Sequence, residues 1–324
     1  MNKSNIKTKK SIALVSLLVA VLLVSAFIII HFVMAKNRNV ELIGSEISFP
    51  ESAGSFSLSN ADIECDLDSL TSNVSEKKAY VYIAPDYTDY SIVEKFGFDK
   101  NDFTEKEEGH RYYKIQGRDK AKQINIDKYG VFTYETGIGR TGFEMTLTEK
   151  ECVNISQNFL KEYGIWGSDM SKTCSFNETY GYTSTPNGEV EKLVGRDVNF
   201  FFEKDSIPVS GNARITVSLN GNGEVTGVVY NYREYLKKSE QPLISVEQAI
   251  NTMKTGKTYV DLDSNIGSVD ITSVEISYWT DTRSDGTLIM QPVYNFIAKV
   301  KSEDNETNDL MITVQANKLP ESEK

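Results

Sequence analysis

Residues 214–223 read Arg-Ile-Thr-Val-Ser-Leu-Asn-Gly-Asn-Gly, and a second apolar-rich run follows over residues 224–232. Polar and apolar side chains alternate strictly in the first six residues, which is the period of a strand with one buried face. Asn-Gly between two such runs is typical of the tight turns that join antiparallel strands. This stretch therefore predicts a β-hairpin and an antiparallel sheet around it.

Three short amphipathic helices are predicted, each ahead of a group of strands. Thr148 and Glu151 form a capping box before an apolar stripe, and Ser245 with Gln248 forms a second one. A weaker signal of the same kind begins at Ser91. Since each helix has one stripe to bury and each sheet has one apolar face, the pattern predicts an α+β fold of tandem helix-on-antiparallel-sheet units.

The amino end predicts a membrane anchor ahead of these units. Residues 12–30 carry no charge, and the apolar side chains between Ile12 and Val33 favour bilayer insertion by about 5–10 kcal/mol. Four lysines precede the span, so the positive-inside bias places the amino terminus in the cytoplasm and the rest of the chain outside. A cleaved signal peptide is the alternative, although the apolar run is longer than a usual signal core.

The chain of 324 residues is thus predicted to be a single-pass protein of the cell membrane, with a lipid bilayer contacting its amino-terminal helix. Its predicted parts are a cytoplasmic amino terminus (1–10), a transmembrane signal anchor (11–35), a stalk and irregular segment (36–75), three α+β units (76–147, 148–240 and 241–318) and a carboxy-terminal tail (319–324).

Charge and histidine content exclude several classes of function. The formal net charge is −11, and an acidic surface disfavours a nucleic-acid partner because phosphate neutralisation needs Lys and Arg. Only His31 and His110 are present, which excludes three-histidine zinc sites and HExxH metalloproteases. A Ser-His-Asp triad could form only around His110, whose charged surroundings favour a surface position. We expect no metal and no cofactor.

The cysteines Cys65, Cys152 and Cys174 are odd in number, so at most one disulfide can form. Cys152 falls on the apolar side of the helix predicted after Thr148, which favours a buried thiol over a bridge. Whether any two of the three pair is left open by the sequence.

Several segments imitate catalytic motifs without their structural context. Residues 137–142 match GxGxxG, but the run that follows reads as extended rather than helical. Ser75–Lys78, Ser175–Asn177 and Lys254–Gly256 imitate the motifs of penicillin-binding proteins, yet Lys254–Gly256 reads as the end of a helix. Residues 261–265 begin like a calcium loop and lack its later ligands. We therefore predict no catalytic residues.

Two sets of short segments resemble known families. The first consists of Thr148–Glu151, Phe159–Leu160, Ile207–Val209, Ile215–Val217 and Gly223–Val225, and it resembles the PepSY-type pattern of bacterial envelope proteins. The second consists of Val274–Tyr278 and Gln291–Phe296, and it is similar to the closing strands of the YycH and YycI family. The resemblance implies an anchored ectodomain of helix-on-sheet units that regulates a membrane sensor kinase by contact and is not an enzyme. It implies no particular functional residue.

Tyrosines at alternate strand positions form a candidate interaction surface, because alternate residues share a face and Tyr combines contact area with a polar tip. These are Tyr80, Tyr82, Tyr230 and Tyr232. Half-buried packing within the sheet is the alternative. We expect a non-enzymatic regulatory or protein-interaction protein whose partner is another membrane or envelope protein. A cell-wall or peptide-acting enzyme and a glycan- or peptide-binding module are the alternatives.

Overall fold

The structure is a computed structural model that describes residues 46–50, 58–85, 89–116, 121–139, 143–186, 188–262, 265–282, 288–302 and 306–319. These residues belong to one compact unit over 43–324. The predicted cytoplasmic segment (1–10) and anchor (11–35) lie outside the described residues. The location predicted from them stays a prediction.

The predicted α+β fold class is wrong, because the described residues are mostly β, with 53% in strands and 13% in helices. None of the helices in the described ranges has the length and apolarity needed to cross a membrane. The described helices are α1 (Leu67–Asn73), α2 (Ile92–Lys95), α3 (Glu149–Glu162) and α4 (Val246–Met253).

Within the described ranges, sixteen strands join in one mixed sheet. They are β1 (Asp62–Cys65), β2 (Lys78–Ile83), β3 (Thr104–Glu107), β4 (His110–Gln116), β5 (Ala121–Ile126), β6 (Phe132–Glu135), β7 (Met170–Thr185), β8 (Gly188–Lys204), β9 (Ile207–Gly211), β10 (Arg214–Asn220), β11 (Val225–Asn231), β12 (Lys237–Pro242), β13 (Thr258–Val260), β14 (Ile266–Thr280), β15 (Ile289–Ser302) and β16 (Thr307–Gln315).

The strand order along the sheet is β12-β2-β15-β14-β9-β8-β10-β11-β6-β5-β4-β3. Outside this path β7 pairs with β8, β1 with β14, and β16 with both β13 and β15. Strands β1 and β9 run parallel to β14, and the other pairs are antiparallel. Strand β2 pairs with β12 and β15, so segments far apart in the chain complete one another's hydrogen bonding. The predicted unit boundaries stay predictions.

The local predictions are confirmed where they rest on a few adjacent residues. Strands β10 and β11 form the predicted hairpin, with Ile215 opposite Tyr230 and a left-handed Gly223 (φ 77°) in the turn. The capping boxes of Thr148 on α3 and Ser245 on α4 are both formed. A helix cap depends only on the few residues around it, so the caps are predicted correctly even though the predicted fold class is wrong.

The helices cover two hydrophobic cores of the sheet. Leu160 on α3 and Val93 on α2 belong to the first, which also contains residues of β5, β6, β8, β10 and β11. Leu70 on α1 and Met253 on α4 belong to the second, beside β14, β15 and β16. The first core positions the tyrosines described next.

Candidate functional site

Tyr80 and Tyr82 lie on β2, where Tyr82 is part of the core. Only 2% of Tyr82 is exposed, and its ring meets that of Tyr278 edge-on with centroids 5.1 Å apart. Its hydroxyl donates a hydrogen bond to Asp205 Oδ2 at 2.7 Å. Tyr80 is half-buried, and Lys238 Nζ lies 4.3 Å from its ring centroid. Most of this predicted patch therefore packs within the protein.

Tyr230 lies near the end of β11 and Tyr232 directly follows the strand, so these alternate residues lie on the same side of the chain. The Tyr232 ring stacks on Phe202 with centroids 3.7 Å apart, and the half-buried Tyr230 stacks on Phe132 at 5.0 Å. Burial raises the pKa of both phenols, so both remain neutral hydrogen-bond donors. The Tyr232 hydroxyl lies 3.3 Å from Asp169 Oδ2 and donates to it.

The structure brings Tyr82 and Tyr232 together at the turn between β8 and β9. Lys204 Nζ pairs with Asp169 Oδ2, and it also lies 5.9 Å from the Tyr82 ring centroid. Asp205 (φ 51°) forms the turn with its neighbour Ser206, which is also left-handed. Left-handed geometry at both central residues matches the twist of a tight hairpin. One tyrosine of each predicted pair, Tyr82 and Tyr232, therefore belongs to a polar and aromatic network around this turn.

Tyr230 and Tyr232 also line a cavity of about 320 Å³, here named the aromatic pocket. Strand β11, the β5–β6 turn, α2 and the segment after α3 converge there. The lining residues are Pro85, Asp89, Ile92, Tyr129, Gly130, Phe132, Gly164, Ile165, Tyr230, Tyr232, Glu234 and Leu236. This part of the site was predicted only through its two tyrosines, since the other walls come from distant segments.

Two carboxylates stand at the aromatic pocket, on Asp89 and Glu234. The Ser91 amide and hydroxyl donate to Asp89 at 2.9 and 2.8 Å, which holds the pKa of that carboxyl below its usual value. The pKa of Tyr230 is raised by burial first and by the charge of Glu234 second. The pocket therefore combines aromatic walls with negative charge.

A second feature, absent from the predicted site, is the far end of the β7–β8 hairpin. Residues 180–186 and 188–192 extend beyond the last rung that β8 shares with β10, and we name them the aromatic arm. Tyr180 and Tyr182 are 48% and 67% exposed. Their hydroxyls donate to Glu178 and Glu191 at 2.5 and 2.7 Å, so the rings are held in place. Their period-two spacing is the signal that could have found them.

The segments that imitate catalytic motifs do not assemble. Lys78 lies in β2 and pairs with Glu240, whereas Ser175 lies on β7 and Lys254 ends α4. Gly137 and Ile138 of the GxGxxG match line a separate cavity of about 400 Å³, and residues 140–142 lie outside the described residues. Because α3 begins only at Glu149, the glycines do not open a helix that could receive a phosphate.

The remaining candidates for chemistry are dispersed. His110 Nδ1 lies 3.6 Å from a Glu107 carboxylate oxygen at the start of β4. Cys65 is exposed, Cys152 is buried and Cys174 is half-buried, and all three are free. The buried position predicted for Cys152 is confirmed. Across the described ranges, no group of three or more His, Cys, Asp or Glu side chains is placed to hold a metal ion.

Comparison with known proteins assigns no family. No family model matches the chain, and no curated protein matches it. Among solved structures, an uncharacterized protein from Eubacterium rectale is similar with a TM-score of 0.47 and 12% identity, covering 77% of this chain and 86% of that one. The YpeB C-terminal domain of Bacillus megaterium is similar with a TM-score of 0.25 and 15% identity, covering 62% and 89%.

Proposed function

We propose that this chain is a non-enzymatic protein that binds a partner protein through the aromatic arm. The observation that carries the proposal is the pair of exposed tyrosines, Tyr180 and Tyr182, on a two-stranded projection. Tyr contributes large contact area at a small cost in conformational entropy, and it is enriched at protein interfaces. Ring positions that are already held by hydrogen bonds lower that cost further.

The charge of the arm favours a basic partner. Glu189 and Glu191 are exposed, while the arm's lysine, Lys192, is paired with Glu144 at 2.9 Å. The whole chain has a formal charge of −11 as well. Complementary charge accelerates association and selects against acidic partners.

The edge of the arm supplies a second mode of contact. In the part of the chain that the structure describes, β7 pairs with β8 and with no further strand. An unpaired edge can accept a strand from a partner through main-chain hydrogen bonds. The partner that the resemblance to YycH and YycI suggests is a sensor kinase. A wall- or peptide-acting enzyme stays the alternative, and its support is weaker because its candidate residues lie on separate elements.

Photo-crosslinking tests the proposal in the cells that make the full chain. A benzophenone amino acid at position 182 should crosslink one defined protein, whereas the same probe at Met311, another exposed apolar position, should not. With that protein purified, Tyr182→Ala should weaken binding by at least tenfold if the ring is a main contact, while Met311→Ala should change it little. Equal crosslinking at the two positions, or equal affinity of the two variants, contradicts a role for the arm.

A further inference from the structure

The aromatic pocket has the composition of a site for an organic cation. Four of its lining residues are aromatic, namely Tyr129, Phe132, Tyr230 and Tyr232. The electron-rich faces of such rings attract ammonium and guanidinium groups, most strongly where water is excluded. Apolar side chains complete the walls and suit the alkyl part of such a cation.

The charges at the pocket have the matching sign. Asp89 and Glu234 line it, and no basic residue stands among its described lining residues. Lys95 Nζ lies 3.2 Å from the Gly164 carbonyl oxygen. The Tyr129 ring already has two cations beside it, since the buried Arg233 guanidinium and Lys128 Nζ lie 4.5 and 5.0 Å from its centroid. The rings left for a ligand are therefore those of Phe132, Tyr230 and Tyr232. Among the described lining residues, a cationic ligand therefore meets two carboxylates and no basic side chain.

The size of the pocket limits the ligand. A cavity of about 320 Å³ lies at the small end of the range for ligand sites in proteins. The pocket accommodates one side chain or one small molecule, and it is too small for a secondary-structure element of a partner protein. From walls, charge and size, we propose that the aromatic pocket binds an organic cation with an apolar body, supplied either by a lysine side chain of a peptide or by a free quaternary ammonium compound.

This proposal is independent of the one for the aromatic arm. Its residues lie on α2, β6, β11 and the segments after β2 and α3, whereas the arm is formed by β7 and β8. A variant of the arm can therefore fail to bind its partner while the pocket still binds a cation, and the reverse also holds.

Two pairs of probes test it on the full chain by calorimetry at low ionic strength. Choline is compared with 3,3-dimethylbutan-1-ol, which has the same shape and no charge. Acetyl-Gly-Lys-Gly-amide is compared with acetyl-Gly-Gln-Gly-amide. We expect at least one cation to bind at least fivefold more tightly than its neutral match. Tighter choline binding identifies a quaternary ammonium as the source, and tighter binding of the lysine peptide identifies a peptide.

Substitutions at the rim locate the site without disturbing the core. Leu236 is 57% exposed, so Leu236→Lys and Leu236→Gln both remove the same apolar group, while Leu236→Lys also adds a positive charge. We expect Leu236→Lys to bind the cation about threefold or more weakly than Leu236→Gln. Glu234→Gln should weaken cation binding by about two- to fivefold, and Glu275→Gln, an exposed change on β14, should leave it unchanged.

The results that overturn the proposal are equally specific. If neither choline nor the lysine peptide binds at concentrations up to about 20 mM, the proposal of a cation site is contradicted. A dissociation constant on the order of 20 mM is the weakest that such a site would have. Equal binding of each cation and its neutral match contradicts the cationic character of the ligand. Equal affinities of Leu236→Lys and Leu236→Gln place any bound cation elsewhere on the protein.

Discussion

Replacing Tyr82 by Phe removes a single hydroxyl from the network that holds the β8–β9 turn. That hydroxyl donates to Asp205 Oδ2 at 2.7 Å, and Lys238 Nζ lies 3.2 Å from the same oxygen. Asp205 and Ser206 both have left-handed backbones, at φ 51° and 65°. Such residues cost about 1–3 kcal/mol each and persist only where surrounding contacts hold them.

The loss expected for Tyr82→Phe follows from the environment of both partners. A hydrogen bond to a charged acceptor contributes about 1.5–3 kcal/mol when it is shielded from water. The Asp205 side chain is 46% exposed, so water replaces part of the lost bond. We therefore expect the free energy of unfolding to fall by about 1–1.5 kcal/mol. In a unit of this size that corresponds to a decrease in Tm of roughly 2–6 °C.

The same hydrogen bond predicts a pH dependence. The hydroxyl of Tyr82 is the main reason why the pKa of Asp205 is lowered in the folded protein. A carboxylate with a lowered folded pKa stabilises the fold above its unfolded pKa of about 3.9, and this stabilisation is lost as the pH falls through the folded pKa. The difference between wild type and Tyr82→Phe should therefore be full at pH 7 and should narrow below about pH 4.

Urea unfolding of the two proteins at several pH values measures both effects. Tyr80→Phe is the matched control, because it removes the same group two residues away on β2, where the hydroxyl makes no hydrogen bond within the described residues. Its expected effect is within about 0.5 kcal/mol. If Tyr80→Phe destabilises the protein as much as Tyr82→Phe does, the hydroxyl of Tyr82 has no special role and the reasoning is refuted.

Two further predictions concern packing and thiol access. A Cβ at Gly221 would meet the backbone carbonyl of Phe143, so Gly221→Ala should lower the free energy of unfolding by about 1–3 kcal/mol. A Cβ at Gly139 meets nothing within 4 Å, so Gly139→Ala should lower it by less than about 1 kcal/mol. Thermal unfolding of the two variants measures the difference. Cys65 is exposed and Cys152 is buried, so a thiol reagent should modify Cys65 in the folded protein and Cys152 only after unfolding, as peptide mass spectrometry would show. Equal modification rates would contradict this arrangement.

The tyrosines show which features of the site strand periodicity can predict. Alternation places Tyr80 with Tyr82, and Tyr230 with Tyr232, on common faces. The rings of the first pair are neighbours, and both rings of the second pair contact Phe202. Periodicity does not indicate what lies above a face. Tyr82 is covered by Tyr278, which is distant in sequence, whereas Tyr230 lies at a cavity. Tyr180 and Tyr182 follow the same period but remain exposed, because their strands extend past the sheet.

The amino-acid sequence by itself determined the β10–β11 hairpin and the caps of α3 and α4, since each depends on contacts among a few consecutive residues. Only the tertiary structure decided that the strands form one sheet and that the fold is mainly β. The reason is that pairs such as β9 with β14 and β2 with β15 join segments far apart in the chain. The aromatic pocket exists for the same reason: its walls come from separate segments, and their meeting depends on the free energy of the whole fold rather than on any local pattern.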